Sequence, residues 1–192
     1  MKRCAARSRR SCEGTILLGA AIRPCSLPED ALLAKYVGAG AYTDCYALDV
    51  TGAVSHAAYV EAFYTGRVFK IERFLLALFF SRPSTDLEVK QLATGKTDRF
   101  SGWRVEDRSA NQVLMRDTIS GKTRSWLMVA PQAEGAAPAT RLYFGSAVLA
   151  ETIKATGERR MGATFAAVLW FHKLYSRILL DGARARLAEV SH

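Results

Sequence analysis

The side chains in this sequence that can do chemistry are few. The only histidines are His56, His172 and His192. His172 sits one turn from Val168 and Leu169, at the flank of an apolar stripe with helical spacing. A histidine there can act as a general acid or base if a carboxylate orients it. The plainer reading is a helix histidine with its ring partly buried and one nitrogen satisfied. Tyr143 and Tyr175 can donate hydrogen bonds to a ligand carbonyl, or pack half-buried with wet hydroxyls. Asp44 shares one face of an extended segment with Tyr42, Tyr46 and Leu48, an odd place for a carboxylate. It is either an acid in a cavity or a strand end facing solvent.

Other chemistries are disfavoured. Cys4, Cys12, Cys25 and Cys45 lie in the first quarter of the chain and none forms C-x-x-C. Zinc sites want closely spaced pairs joined by histidines, so no metal is expected, and no cofactor. A disulfide framework is not expected either, because the core-forming region has almost no cysteine. No nucleophile elbow, P-loop, dinucleotide fingerprint or H-E-x-x-H occurs. Gly38-Ala-Gly40 lacks the third glycine and precedes a strand, so it is a breaker and not a phosphate cradle.

These residues need elements to hold them. Met161 to Val190 reads as an amphipathic helix with Val168, Phe171, Tyr175, Ile178 and Leu179 on one side. Lys173, Arg177, Asp181 and Arg184 fall on the other. Before it, Ser26 to Tyr36 can open a short helix and Tyr42 to Val50 reads as a first strand. Ser55 is a candidate N-cap for a helix to about Tyr64, and a second helix is expected from Val68 to Phe80. Leu87 to Ala93 is ambiguous. Strands follow at Phe100–Asp107, Gln112–Ile119, Thr123–Ala130 and Arg141–Ala150. Residues 1–26 read as a basic extension and 27–192 as one domain.

Ser120-Gly121 reads as a two-residue hairpin turn. That turn would fix the register, with Asp117 facing Arg124, Met115 facing Trp126 and Val113 facing Met128. One face would then carry Val113, Met115, Trp126 and Met128, and it is expected under the final helix. Asp117 and Arg124 would be either a charged pair at a cavity mouth or a cross-strand ion pair worth about 0.2–1 kcal/mol. Trp103 and Trp126 read as core or cavity wall.

The chain has 192 residues and a net charge of +9, of which the first ten residues supply five basic side chains and no acidic one. Such an arm can bind nucleic acid or anionic lipid, but no aromatic is interleaved with the charges for base stacking, so a solvated tail is the preferred reading. No apolar run reaches the roughly 18 residues that a membrane span needs. Arg9-Arg10 is followed by Ser11, Cys12 and Glu13, which fits an export signal poorly. A cytoplasmic protein is expected.

The order of strand, two short helices, antiparallel strands and long C-terminal helix resembles the helix-grip fold of the START and polyketide-cyclase-like superfamily. The segments TRSWLMVAP (Thr123–Pro131), RLYFGSAVL (Arg141–Leu149) and FHKLYSRILL (Phe171–Leu180) are similar to an uncharacterised bacterial group near it. So is the pairing of Leu27-Pro28 with the YTDCYALDV strand. The resemblance implies an α+β fold with an antiparallel sheet curled around the last helix. It also implies a cavity between them for a small apolar or amphipathic molecule or lipid. The alternative is a cyclase- or dehydratase-type enzyme using the same cavity. The expected lining is Trp103, Met115, Asp117, Arg124, Trp126 and Tyr143 from the sheet. Phe165, Leu169, His172 and Tyr175 are expected from the helix. A homo-oligomer is allowed by the nearly apolar first half of that helix. Such a sheet has six or seven strands, so 86–93 and 151–158 are expected to supply the missing ones.

Overall fold

A computed structural model describes residues 21–71, 73, 84–132 and 138–149. It also gives the backbone of 151–152, 159–160 and 163–190, with side chains from 174 to 190. The chain is α+β. Its strands are β1 (Arg23–Pro24), β2 (Tyr42–Thr51), β3 (Arg99–Phe100), β4 (Trp103–Arg108), β5 (Gln112–Asp117), β6 (Thr123–Gln132) and β7 (Ala139–Val148). They form one antiparallel sheet in the order β1-β2-β7-β6-β5-β4-β3, not closed into a barrel. The helices are α1 (His56–Thr65), α2 (Asp86–Ala93) and the long α3 (Ala163–Val190), with a 3-10 helix at Leu32–Ala39. Among the described residues, no helix is long and apolar enough to cross a membrane.

Residues 86–93 are helical, not a strand. The N-cap Thr85 accepts from the Glu88 N–H while the Glu88 carboxylate accepts from the Thr85 N–H. This capping box was readable in Thr85-Asp86-Leu87-Glu88. The sheet takes its outer strands instead from β1, at the end of the basic extension, and from β3. Glu151–Thr152 (β8) pairs Arg159–Arg160 (β9) in a ladder of its own. Ser55 does cap α1, its hydroxyl accepting from the Ala58 N–H at 3.2 Å. Of the second expected helix, residues 67–71 are helical, and most of the remainder lies outside the described residues.

Both sheet faces are covered. On the inner face, Tyr59, Phe63 and Tyr64 of α1 meet Phe100, Val113, Met115, Leu127, Leu142 and Phe144 of the strands. The described part of α3 adds Leu179, Leu180, Ala183 and Leu187 to this cluster. It packs on α1 and reaches β2 and β7. On the outer face the 3-10 segment lays Ala31 and Leu33 on Cys45, Leu114, Trp126, Met128 and Ala147. A strand buried on both sides has no polar face, which is why Arg124 to Val129 of β6 are buried without interruption.

The β5–β6 register differs by one residue from the two-residue-turn expectation. Arg116 faces Arg124, Met115 faces Ser125, Leu114 faces Trp126, Val113 faces Leu127 and Gln112 faces Met128. The cause is Asp117. Its carboxylate accepts from the N–H groups of Ile119, Ser120, Gly121 and Thr123 and from the Ser120 hydroxyl, at 2.6–3.1 Å. These bonds hold a longer loop in which Gly121 takes φ +71°. A one-residue slip sends every side chain of one strand to the other face. The expected set therefore splits: Val113 and Met115 face the helices, while Trp126 and Met128 face the 3-10 segment.

Candidate functional site

The sheet separates the residues expected to line one cavity. On the inner face, Met115 is buried and its Sδ accepts from the Tyr64 hydroxyl at 3.1 Å. Trp103 and Tyr175 are half-buried against the same cluster. Asp44 is also on this side, its Oδ1 accepting from Ser146 N–H at 3.1 Å and from Ser146 Oγ at 2.6 Å. On the outer face, Trp126 and Tyr143 meet with tilted rings, centroids 6.1 Å apart and planes at 42°. The side chains of Phe165, Leu169 and His172 lie outside the described residues, as does the basic arm.

Asp117 and Arg124 do not pair. Asp117 is spent on its own loop. Arg124 points to the outer face, where its Nε contacts Glu106 Oε2 at 2.6 Å and donates to Tyr36 Oη at 2.8 Å. Lys35 joins Glu106 at 2.9 Å. The bonds and charges of Tyr36, Lys35 and Arg124 hold Glu106 below the usual carboxylate range despite its partial burial. This network clamps the 3-10 helix to the sheet. Gln112 does the same from the centre: its Oε1 accepts from Trp126 Nε1 and from Leu32 N–H, and its Nε2 donates to the Asp30 carbonyl. None of the buried side-chain polar atoms without a partner belongs to this network, so the clamp around Gln112 and Arg124 reads as structure.

The inner face holds an unmatched set. Arg108 Nη1 donates to the Leu92 carbonyl at 2.9 Å, but its Nε and Nη2 are buried with no hydrogen-bond partner. His56, 8% exposed, has an equally unpartnered Nε2. Burial pushes the His56 pKa down to about 4, the Arg108 charge pushes it the same way, and a hydrogen bond to the Leu127 backbone opposes both. His56 is therefore neutral near pH 7. It is also the first residue of α1, where backbone N–H groups point outward and the helix dipole favours negative charge. The loop before it is pinned by Thr140, whose hydroxyl accepts from Val54 N–H and donates to the Gly52 carbonyl.

Alternation in β4 puts Trp103 and Val105 inward, and would put Arg108 outward with Arg104 and Glu106. A β-bulge between Val105 and Asp107 shifts the parity, so that Arg108 faces Val113 and turns inward. No residue in Trp103–Arg108 announces that bulge, and His56 was readable only as a residue following an N-cap. A cationic head and a neutral imidazole, both short of partners at a helix start, can receive an anionic or hydroxyl-bearing group. Among the described residues no group of three or more His, Cys, Asp or Glu side chains could hold a metal ion.

No protein-family model, curated protein or solved structure matches this chain.

Proposed function

We propose that the protein binds a small amphipathic molecule on the inner face, between the sheet and its helices, in the manner of a helix-grip fold. The head group, a carboxylic or hydroxy acid, sits on Arg108 and His56. The apolar part enters by displacing inner-face side chains, since Tyr64, Met115 and Phe144 are buried against one cluster. The observation that carries this reading is that Arg108 Nε and Nη2 and His56 Nε2 are all buried without partners, with the Arg108 charge acting on His56. A buried polar group left unpaired costs about 1–3 kcal/mol, more for a charged one. Such groups persist where a ligand or ordered water supplies the missing partner. A neutral His56 with its proton on Nδ1 leaves Nε2 as an acceptor for an O–H, while Arg108 donates to oxygen.

The cyclase or dehydratase reading stays the alternative. It would need a carboxylate acid or base, and the Asp44 carboxylate already accepts two hydrogen bonds from Ser146.

The test is titration of the full chain with dodecanoic acid by isothermal calorimetry, alongside native mass spectrometry of the purified protein. Binding weakened about tenfold or more in Arg108→Met, equivalent to about 1.4 kcal/mol, supports the reading. Equal affinity in both proteins, or no binding by the parent chain and no co-purifying acid, overturns it.

A further inference from the structure

Cys25 and Cys45 lie away from that site, on the outer side of the sheet. The β1–β2 register pairs Arg23 with Ala47 and Pro24 with Tyr46, which carries Cys25 opposite Cys45. The Cys25 N–H donates to the Cys45 carbonyl at 3.0 Å. The two Sγ atoms are 3.3 Å apart, and both thiols are free. A cleft of about 480 Å³ opens beside them, lined also by Leu27, Pro28, Ala34 and Val37.

We propose that Cys25 and Cys45 form a thiol–disulfide exchange pair that takes a low-molecular-weight disulfide from this cleft. Cys25 attacks and Cys45 resolves. The assignment follows from access: Cys25 is half-buried at the cleft, while Cys45 is 5% exposed within the outer cluster. Electrostatics agrees. The hydrogen bond between the thiols lowers the Cys25 pKa, burial opposes it, and the charges of Arg141 and Arg23 lower it further. The same hydrogen bond and burial raise that of Cys45. The thiolate is the nucleophile, so the reactive sulfur is Cys25.

The exchange balances. The Cys25 thiolate attacks one sulfur of the disulfide RSSR, forming a Cys25–S–SR bond and releasing RS⁻. Cys45 then loses its proton to solvent and attacks Cys25 Sγ, closing the Cys25–Cys45 bond and releasing the second RS⁻. Two thiols are oxidised and one disulfide is reduced to two thiols. Directly opposed residues of a hydrogen-bonded antiparallel pair have Cα atoms about 5.5 Å apart, inside the roughly 4.4–6.8 Å that a disulfide spans. The bond can therefore close without moving the strands, and it fastens the edge strand β1 to β2.

The experiment treats the reduced full chain with bis(2-hydroxyethyl) disulfide at pH 8, followed by alkylation and peptide mass spectrometry. The expected result is a Cys25–Cys45 cross-link. Cys45→Ser should trap a mercaptoethanol adduct on Cys25, and Cys25→Ser should leave Cys45 unmodified. Cys45→Ala is the second resolving variant, and circular dichroism checks that each variant is folded. The proposal is overturned if Cys25 and Cys45 both remain alkylated while Cys4 or Cys12 carries the adduct. It is equally overturned if Cys45 reacts in Cys25→Ser as fast as Cys25 does in Cys45→Ser.

Discussion

Trp126 donates its indole N–H to Gln112 Oε1 at 2.9 Å, and the same oxygen accepts from the Leu32 backbone N–H at 3.0 Å. One side chain thus joins two strands of the sheet to the segment that covers them. Gln112 is 3% exposed, so no water competes for these bonds. Trp126 can lie flat there because Gly145 stands opposite it on β7. A Cβ at Gly145 would come within 2.9 Å of the Asp44 carbonyl and 3.0 Å of the indole.

Replacing Gln112 with Leu keeps the volume but strands the buried Trp126 indole N–H and removes the partner of the Leu32 N–H and the Asp30 carbonyl. At about 1–3 kcal/mol for a buried group left unpaired, Gln112→Leu is expected to lower unfolding stability by about 3 kcal/mol. The midpoint of urea unfolding measures this. A loss below about 1 kcal/mol would mean that the outer layer is not held through this residue.

His56 gives a pH signature. Its folded-state pKa is lowered to about 4, first by burial and then by Arg108. The unfolded chain binds that proton near pH 6.5. The stability that comes from keeping His56 neutral is therefore complete above about pH 6.5 and is lost as pH falls towards 4. On the order of 2 kcal/mol should disappear between pH 7.5 and 4.5, and His56→Gln should flatten that part of the profile. Asp49, Asp86, Glu106 and Asp117 have lowered pKa values. Their contributions begin to fade only as pH falls through the ordinary carboxylate values and are lost below them, so most of the His56 loss comes first. A profile that is flat from pH 7.5 to 4.5 in the parent chain would refute the buried, neutral state of His56.

Asp117 holds its loop through four backbone N–H groups. Asp117→Ala should speed hydrogen exchange at Ile119, Ser120, Gly121 and Thr123 by about tenfold or more, matching the loss of about 1.4 kcal/mol of local protection. The N–H of Leu127, in mid-strand, should keep its protection. Equal acceleration at both places would indicate general unfolding and not a loop anchor.

Several elements were legible in the chain itself. Ser55 announces the start of α1, Tyr42 to Thr51 has strand composition, and the C-terminal periodicity is helical; each is a local property, set by the residues concerned. The helix at Asp86–Ala93 was legible too, through Thr85 and Glu88, but its weak apolar pattern hides it. The hairpin register was not. Ser120-Gly121 has the composition of a tight turn, and what defeats it is one carboxylate reaching four N–H groups in the loop that follows it.

The candidate site was less visible still. Arg108 turns inward because β4 carries a bulge, and the unmatched donors appear only when α1 and α2 close over that strand. His56 matters because a helix start, the Leu127 backbone and a distant arginine meet around it. The sequence determined which segments become strands and helices, because capping and periodicity act over a few residues. Tertiary structure alone decided which face each strand shows and which polar atoms are left without partners. Those depend on register and on contacts between residues far apart in the chain, where one displaced residue in a strand of period two inverts the outcome.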